Sequence, residues 1–121
     1  MSESNPIRVF ATHNFNETDD YLRVFEFLES VDRFYYLNVS QPENLPTTGG
    51  GQAIKDELIR QIKASEAVFV LPSAWEQNRD MVNFMLDVAE ANSIGRIVIK
   101  PFGGLHDTPE ELVARCPEHR Q

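Results

Sequence analysis

Two polar stretches carry most of the side chains that could do chemistry in this chain. The first is Thr12-His13-Asn14-Phe15, and the second is Ser73–Asn78, which holds Trp75, the only tryptophan, and the carboxylate Glu76. Hydroxyl, imidazole and carboxylate groups can bind a small polar ligand or transfer protons, and an indole ring can stack on a nucleobase. The two stretches are therefore the candidate site.

Two of these residues have an ordinary structural interpretation as well as a functional one. A lone histidine such as His13 is more often a hydrogen-bonding loop residue than a catalyst. Trp75 could be a core anchor or a surface for stacking, and the sequence leaves both open. No second histidine or cysteine lies at the spacing of metal ligands, so we expect no metal site. The single Cys116 cannot form an internal disulfide.

The elements that would position these residues alternate between strand and helix. Apolar runs predict strands near 7–12, 34–39, 67–71 and 96–100, and the run Ala67–Leu71 suits a strand buried on both faces. Alternation of this kind favours a parallel sheet with helices on both faces. We expect one domain, 1–121, with a flavodoxin-like three-layer α/β fold and strand order 2-1-3-4. The two polar stretches would then face each other between the first and third strands, where ligands of such folds bind.

Helices are predicted from apolar stripes at spacings of three and four residues. The first helix begins near Glu17 to Asp20, and a fourth is indicated by a capping box at Thr108–Glu111. The loop Ser40–Gln52 is expected to be mobile because it is long and contains Gly49-Gly50-Gly51. The three predicted stripes are Tyr21, Val24, Phe25 and Leu28; Ile54, Leu58 and Ile62; and Met81, Phe84, Met85 and Val88.

The composition is that of an ordinary globular protein. The 121 residues include 41% hydrophobic and 25% charged side chains, with a net charge of −8. That charge argues against nucleic acid as a partner, because phosphate binding needs a basic face. The start of the chain is polar and no apolar run approaches the length of a membrane span, so we expect a cytoplasmic protein without a membrane partner.

Two phosphate chemistries are excluded by particular residues. The glycines at 49–51 are followed by Gln52-Ala53 and not by the Gly-Lys-Ser/Thr of a P-loop. Lys100-Pro101 is similar to the strand end of response-regulator receiver domains. Those domains need carboxylates after the first and middle strands, and this chain has Ala11–Asn14 and Leu71-Pro72-Ser73 there.

Four stretches together resemble the TIR-like domain family, and specifically the short bacterial and archaeal TIR-like proteins related to the TIR protein of Thoeris antiviral defence. Val9–Asn14 resembles the family's "VFISHS" opening, and Leu58–Ile62 leads into Ser65–Leu71 as in the family. Asp80–Phe84 resembles the start of its "DWIxxE" helix, and Ile99–Gly103 its "VKPWG" strand end. The order and spacing of these stretches agree along most of the chain.

The resemblance implies cleavage of NAD⁺ at the nicotinamide–ribose bond by a glutamate on the helix after the central strand. Met85 occupies that position here, and methionine cannot stabilise developing positive charge. The resemblance therefore implies a signalling or interaction domain with an NAD-type pocket and no required cofactor, whose partner is a second copy or another TIR-like or effector protein. The alternative is an active NAD⁺ glycohydrolase or cyclase that uses a displaced acid such as Glu76. The residues expected to contact the ligand are Thr12, His13, Asn14, Phe15, Ser73, Trp75 and Phe102.

Overall fold

The protein is seen here in a computed structural model that describes residues 4–13, 15, 19–99 and 118–120. Of residues 20, 73 and 118–120 only the backbone is described. The predicted capping box at Thr108, and the candidate residues Asn14 and Phe102, lie outside the described residues. The elements in chain order are β1 (Ile7–Ala11), α1 (Asp19–Ser30), β2 (Tyr36–Asn38), α2 (Gly50–Lys63), β3 (Ala67–Val70), α3 (Pro72–Gln77), α4 (Arg79–Ala91), β4 (Gly95–Ile99) and β5 (Glu118–Arg120).

All the strand pairings described are parallel, in the order β2-β1-β3-β4-β5. The predicted parallel α/β sheet and the order of its first four strands are therefore confirmed. The fifth strand was not predicted, because Glu118–Arg120 is short and polar and gives no apolar run. The chain adds β2 on one side of β1 and then adds β3 and β4 on the other side, so the strand order switches between β1 and β3. Right-handed crossovers place α1 on one face and α2 and α4 on the other, and α2 and α4 pack together there.

The centre of the core is β3, in which every residue is buried. Its register places Val9 beside Ala67 and Phe69 beside Ile97, so apolar side chains flank it on both sides. Burial on both faces explains the unbroken apolar run in the sequence. The largest side chains with less than 2% exposure are Trp75, Phe10, Leu58, Ile62, Met85, Leu86 and Gln61, followed by the smaller valines Val9, Val68, Val70 and Val82.

The polar stretch 73–78 has the composition of a loop, and a loop is the wrong prediction for it, because residues 72–77 form the short helix α3. Pro72 stands at its first position, where a missing N–H costs nothing. The carbonyl of Leu71 accepts from the N–H groups of Ala74 and Trp75, at 3.0 and 3.2 Å. Asn78 then begins α4, since its side-chain oxygen accepts from the Met81 N–H at 3.1 Å.

The predicted inward face of α4 is also displaced. Met85 is fully buried, as predicted, but its buried companions are Val82, Leu86 and Ala89. That set lies one residue further along the chain than the predicted stripe, a rotation of about 100°. The predicted stripe residues Met81, Phe84 and Val88 are only half-buried, and the first two border a groove between α4 and α2.

Helix α2 is longer than its apolar spacing indicated. It starts at Gly50, so the last part of the predicted mobile loop is helical. Gly49 stands before it with φ of 91°, in the left-handed region that glycine adopts without a steric penalty. A side chain there would also approach Ala53 Cβ to 2.7 Å. Gly49 is therefore explained by the helix start, with no need for a phosphate-binding loop.

Candidate functional site

The carboxyl ends of β1 and β3 meet at Thr12, which is buried. Its N–H donates to the Phe69 carbonyl, and its side-chain Oγ1 accepts from the Leu71 N–H, each at 3.0 Å. The hydroxyl therefore continues the pairing between the strands by one residue after β1 ends. Both contacts lie within the protein, so Thr12 fixes the geometry of the edge where ligands of such sheets bind.

His13 follows directly and is only 2% exposed. Its Nδ1 accepts from the Phe15 N–H at 3.0 Å, and its Nε2 lies 3.0 Å from Gln61 Oε1 on α2. Three aromatic rings surround the imidazole, with ring centroids 5.1 to 6.4 Å away: Phe10, Phe15 and Tyr21.

The contacts of His13 determine its tautomer. Because an N–H points at Nδ1, that nitrogen carries no hydrogen, and the proton of the neutral ring lies on Nε2. Burial lowers the pKa of His13 below its usual 6.5 and outweighs the hydrogen bond to Gln61 and the charges of Glu43 and Glu57, which raise it. The imidazole is therefore neutral near pH 7 and is already engaged at both nitrogens.

The residue that organises this edge is Gln61, which is fully buried. Its Oε1 accepts from the Gln41 N–H at 2.9 Å as well as from His13. Its Nε2 donates to the Gln41 carbonyl at 3.2 Å and to Glu57 Oε2 at 2.7 Å. One side-chain amide thus holds the loop after β1 and the loop after β2 against the same helix.

Gln61 was not predicted, although the sequence carried a signal. It follows Leu58 by three residues and adjoins Ile62, so it borders the apolar stripe of α2. A polar side chain on such a stripe must find partners in the interior.

Glu57, one helical turn before Gln61, is the most strongly held acid near the edge. It accepts from Arg60 Nε at 2.9 Å and from Asn44 Nδ2 at 2.8 Å, in addition to Gln61. The hydrogen bond from Arg60, followed by those from Gln61 and Asn44, lowers the pKa of Glu57 to about 2, against the opposing effect of burial. This carboxylate is ionised and paired at neutral pH, so it is unsuited to proton transfer.

A second polar cluster ties α1 to the end of β2. Asn38 Nδ2 donates to the Tyr21 hydroxyl at 3.0 Å, and the Tyr21 and Ser40 oxygens are 2.9 Å apart. Asn38 Oδ1 accepts from the Ser40 N–H at 3.0 Å and from the Ser40 hydroxyl. Tyr21 and Ser40 are both buried. The loop after β2 is therefore fixed at its start by this cluster and a residue later by Gln61.

The remaining candidate residues lie on α3 and α4. Trp75 is 1% exposed, which matches the core-anchor alternative and leaves no ring face for a nucleobase. The Arg79 guanidinium lies 5.2 Å from its ring centroid. Trp75 Nε1 has no acceptor among the residues described. Glu76 is exposed, and of Ser73 only the backbone is described.

A groove of about 540 Å³ lies apart from this edge, between the first halves of α2 and α4. Its floor is apolar, and Lys55 Nζ on α2 lies 5.5 Å from the Phe84 ring centroid on α4. Groups of three or more His, Cys, Asp or Glu side chains able to hold a metal are absent from the described residues. The groove is lined by Gly51, Ile54, Lys55, Leu58, Asn78, Asp80, Met81, Asn83, Phe84 and Asp87.

No helix within the described ranges is long and apolar enough to cross a membrane. Comparison of the chain with models of known protein families, and with curated proteins, finds no match.

Proposed function

We propose that this protein is a cytoplasmic TIR-like signalling or interaction domain of flavodoxin-like architecture that does not cleave NAD⁺. The observation that carries the proposal is the position of Met85. The resemblance places the catalytic glutamate there, and the Met85 side chain is fully buried in the core. A group in that position can neither contact a ribose nor stabilise the positive charge that develops as the nicotinamide bond breaks.

The other candidate groups support the same conclusion. Thr12 and His13 use their polar atoms within the protein, as described above, and Glu57 is paired with Arg60. The described edge therefore offers no unpaired buried carboxylate to replace the missing glutamate. The resemblance also implies an NAD-type pocket, and calorimetric titration with NAD⁺ tests whether the chain binds the nucleotide without cleaving it.

An interaction role is supported by exposed apolar side chains in one stretch of the chain. Phe27, Val31, Tyr35 and Leu37 are each 36 to 54% exposed, and all fall between the end of α1 and the strand β2. β2 is the first strand in the sheet order and pairs only with β1 among the described strands. An exposed apolar edge strand is a common place for a second chain to pair. We therefore assign the partner, a second copy or another TIR-like or effector protein, to this edge.

The activity is tested by incubating the purified chain with NAD⁺ and measuring the release of nicotinamide. We expect release at background, because losing a preorganised charged group costs on the order of 10²–10³ in rate. Turnover that is clearly above background in the unaltered chain and lost in Glu76→Gln would establish the enzyme alternative, since Glu76 is exposed and able to meet a substrate. Met85→Glu is a poor test of restored activity, because it places a carboxylate in the core.

The interaction surface is tested by the mass of the chain in solution. Leu37→Lys places a charge on the edge strand and should shift any self-association towards monomer. Leu45→Lys is the matched control, because Leu45 is similarly exposed, at 51% against 54%, but lies in the loop after β2. Equal effects of the two changes would refute the assignment of self-association to β2, and a chain that is monomeric before either change would rule out a second copy as the partner.

A further inference from the structure

The groove between α2 and α4 is lined by apolar side chains that the sequence pattern assigned to the core. Met81 and Phe84 on α4 and Ile54 on α2 are each only half-buried there, beside Leu58, which is 1% exposed. The groove volume of about 540 Å³ lies within the range of sites that hold one small molecule. An apolar group of about the size of one aromatic ring would therefore be removed from water in this groove.

The charged side chains of the groove favour a cation. Asp80, Phe84 and Asp87 stand at i, i+4 and i+7 on α4, so the two carboxylates flank the ring along one side of the helix. Lys55 is the one cationic side chain among the described residues that line the groove. An anion would therefore meet two like charges on the α4 wall, whereas a cation meets two opposite ones.

The side chain of Lys55 shows where a cation can be held. Its Nζ lies 5.5 Å from the centroid of the Phe84 ring, a distance at which the negative face of an aromatic ring attracts an ammonium group. Lys55 reaches the ring from the opposite helix on a flexible, exposed stem, so it can move aside. The groove remains open with the lysine in this position. A free amine could therefore take the place of this ammonium and also fill the groove with an apolar group.

One glycine in the wall of the groove is not required by the fold. Gly51 lies in the first turn of α2 and is not among the glycines with positive φ. A Cβ at this position would meet no atom within 4 Å. Alanine would therefore fit, and it would favour the helix more than glycine does. A glycine in the wall of a groove suits an occupant that comes close to the backbone.

We propose that the groove between α2 and α4 binds a small organic cation, an amine that carries one aromatic or aliphatic group of about the size of a ring. The charged group lies over the Phe84 ring near Asp80, in place of the Lys55 ammonium, and the apolar group lies against the floor of the groove. The site is independent of the proposed function, because neither the cleavage of NAD⁺ nor pairing at β2 involves it.

The test uses the full chain and three probes that share a phenylethyl group and differ in charge. They are phenethylamine, which is a cation near neutral pH, 2-phenylethanol and 3-phenylpropionate. Each is titrated into the ¹⁵N-labelled chain and followed by the amide spectrum. We expect saturable binding of the amine about fivefold or more tighter than that of the alcohol, with the propionate weakest. The amides that shift should be those of the groove, such as Gly51, Ile54, Met81 and Phe84.

Two substitutions test the charges that the proposal assigns. Lys55→Met should tighten the binding of the amine, because the competing ammonium is removed, and should weaken that of the propionate. Asp80→Asn should weaken the binding of the amine by about two- to fivefold. Asp19→Asn is the matched control, because Asp19 is an exposed acid at the start of α1, on the other face of the sheet, and it should leave the binding unchanged.

Gly51→Ala separates binding from stability. It should raise the midpoint of thermal unfolding, because alanine favours the helix, and should weaken the binding of the amine. A structural role for the glycine would give the opposite change in the midpoint.

The site is overturned by any of four results. The first is that the amine shows no saturable binding to the unaltered chain, or binds no more tightly than the alcohol. The second is that the amides that shift lie outside the groove. The third is that Asp80→Asn and Asp19→Asn have equal effects, or that Lys55→Met weakens the binding of the amine. The fourth is unchanged binding in Gly51→Ala. The titrations of the unaltered chain decide even where a variant does not fold.

Discussion

Replacing Gln61 by methionine tests the polar network most directly. Methionine has nearly the same length and shape, so Gln61→Met leaves little cavity, and its cost comes from lost hydrogen bonds. The change removes the partners of His13 Nε2–H and of the Gln41 N–H and carbonyl. An unsatisfied buried polar group costs about 1–3 kcal/mol. The unpaired Nε2–H of His13 should cost the full amount, because His13 is only 2% exposed. The unpaired Gln41 groups should cost less, because Gln41 is half-buried and water can partly replace the lost hydrogen bonds.

We therefore expect Gln61→Met to lower the free energy of unfolding by about 2–4 kcal/mol. The loss of the hydrogen bond between Gln61 and Glu57 adds little, because the Glu57 carboxylate keeps Arg60 and Asn44 as donors. Urea unfolding followed by fluorescence measures the change, since Trp75 is the only tryptophan and is buried.

The matched control for this change is Gln52→Met. Gln52 lies on the same helix and is exposed, with one hydrogen bond to Asp56 at 2.9 Å. We expect its cost to stay within about 0.5 kcal/mol, as for most surface changes. If the two variants lose the same stability, or if Gln61→Met loses less than about 0.5 kcal/mol, the network described here does not stabilise the protein in solution.

Three further outcomes are expected. Met85→Ala should lower the free energy of unfolding by about 2–5 kcal/mol in a thermal or urea melt, as for other buried methionines, and an unchanged melt would place Met85 at the surface. The pKa of Glu57 is lowered from 4.5 to about 2, so the stability that its carboxylate contributes is complete above pH 4.5 and is lost as the pH falls towards 2. Glu57→Gln should flatten that part of the curve of stability against pH. An unchanged curve would mean that the hydrogen bonds to this carboxylate do not stabilise the fold. Burial and the hydrogen bond to Glu29 raise the pKa of Tyr36 to about 12. Ultraviolet titration should therefore show one tyrosine that ionises at unusually high pH, and Glu29→Gln should move its pKa towards 10. A Tyr36 with an ordinary pKa would refute the contact with Glu29.

The sheet could be predicted from the sequence because burial on both faces leaves a direct trace. Ala67–Val70 is apolar throughout and lies at the centre of the sheet, with Val9 and Ile97 on the neighbouring strands. β5 left no such trace, because its three residues are polar and a strand that short has no period to detect.

The apolar residues of α4 predicted a helix but did not identify which of its faces is buried. Helix α4 has apolar side chains at residues 81, 82, 84, 85, 86 and 88, which is too wide an arc to select one face. Val82 and Leu86 are fully buried, whereas Phe84 is half-buried and its ring lies beside Lys55 of α2. Only the position of the neighbouring elements settles which residues lie deepest.

The sequence placed Thr12 and His13 at a strand end, but it did not give the contacts of their side chains. Thr12 and His13 do lie at the carboxyl ends of the strands, as parallel topology requires. Their partners come from residues 48 and 59 positions away, Gln61 and Leu71, and contacts at that separation have no local sequence pattern. Trp75 was left open between core and surface for the same reason, because the helix α3 that turns it inward depends on contacts with α4.

The polar side chains at the carboxyl ends of β1 and β3 find their partners in other parts of the chain. A ligand site needs polar groups whose partners are missing until the ligand arrives, whereas a buried edge without a ligand must satisfy its polar groups internally. Within the described residues the second arrangement is found at this edge. His13 is satisfied by Phe15 of its own loop and by Gln61 of α2. Gln61 in turn is satisfied by Gln41 of the loop after β2 and by Glu57 of α2, so one imidazole and one amide join two loops to one helix.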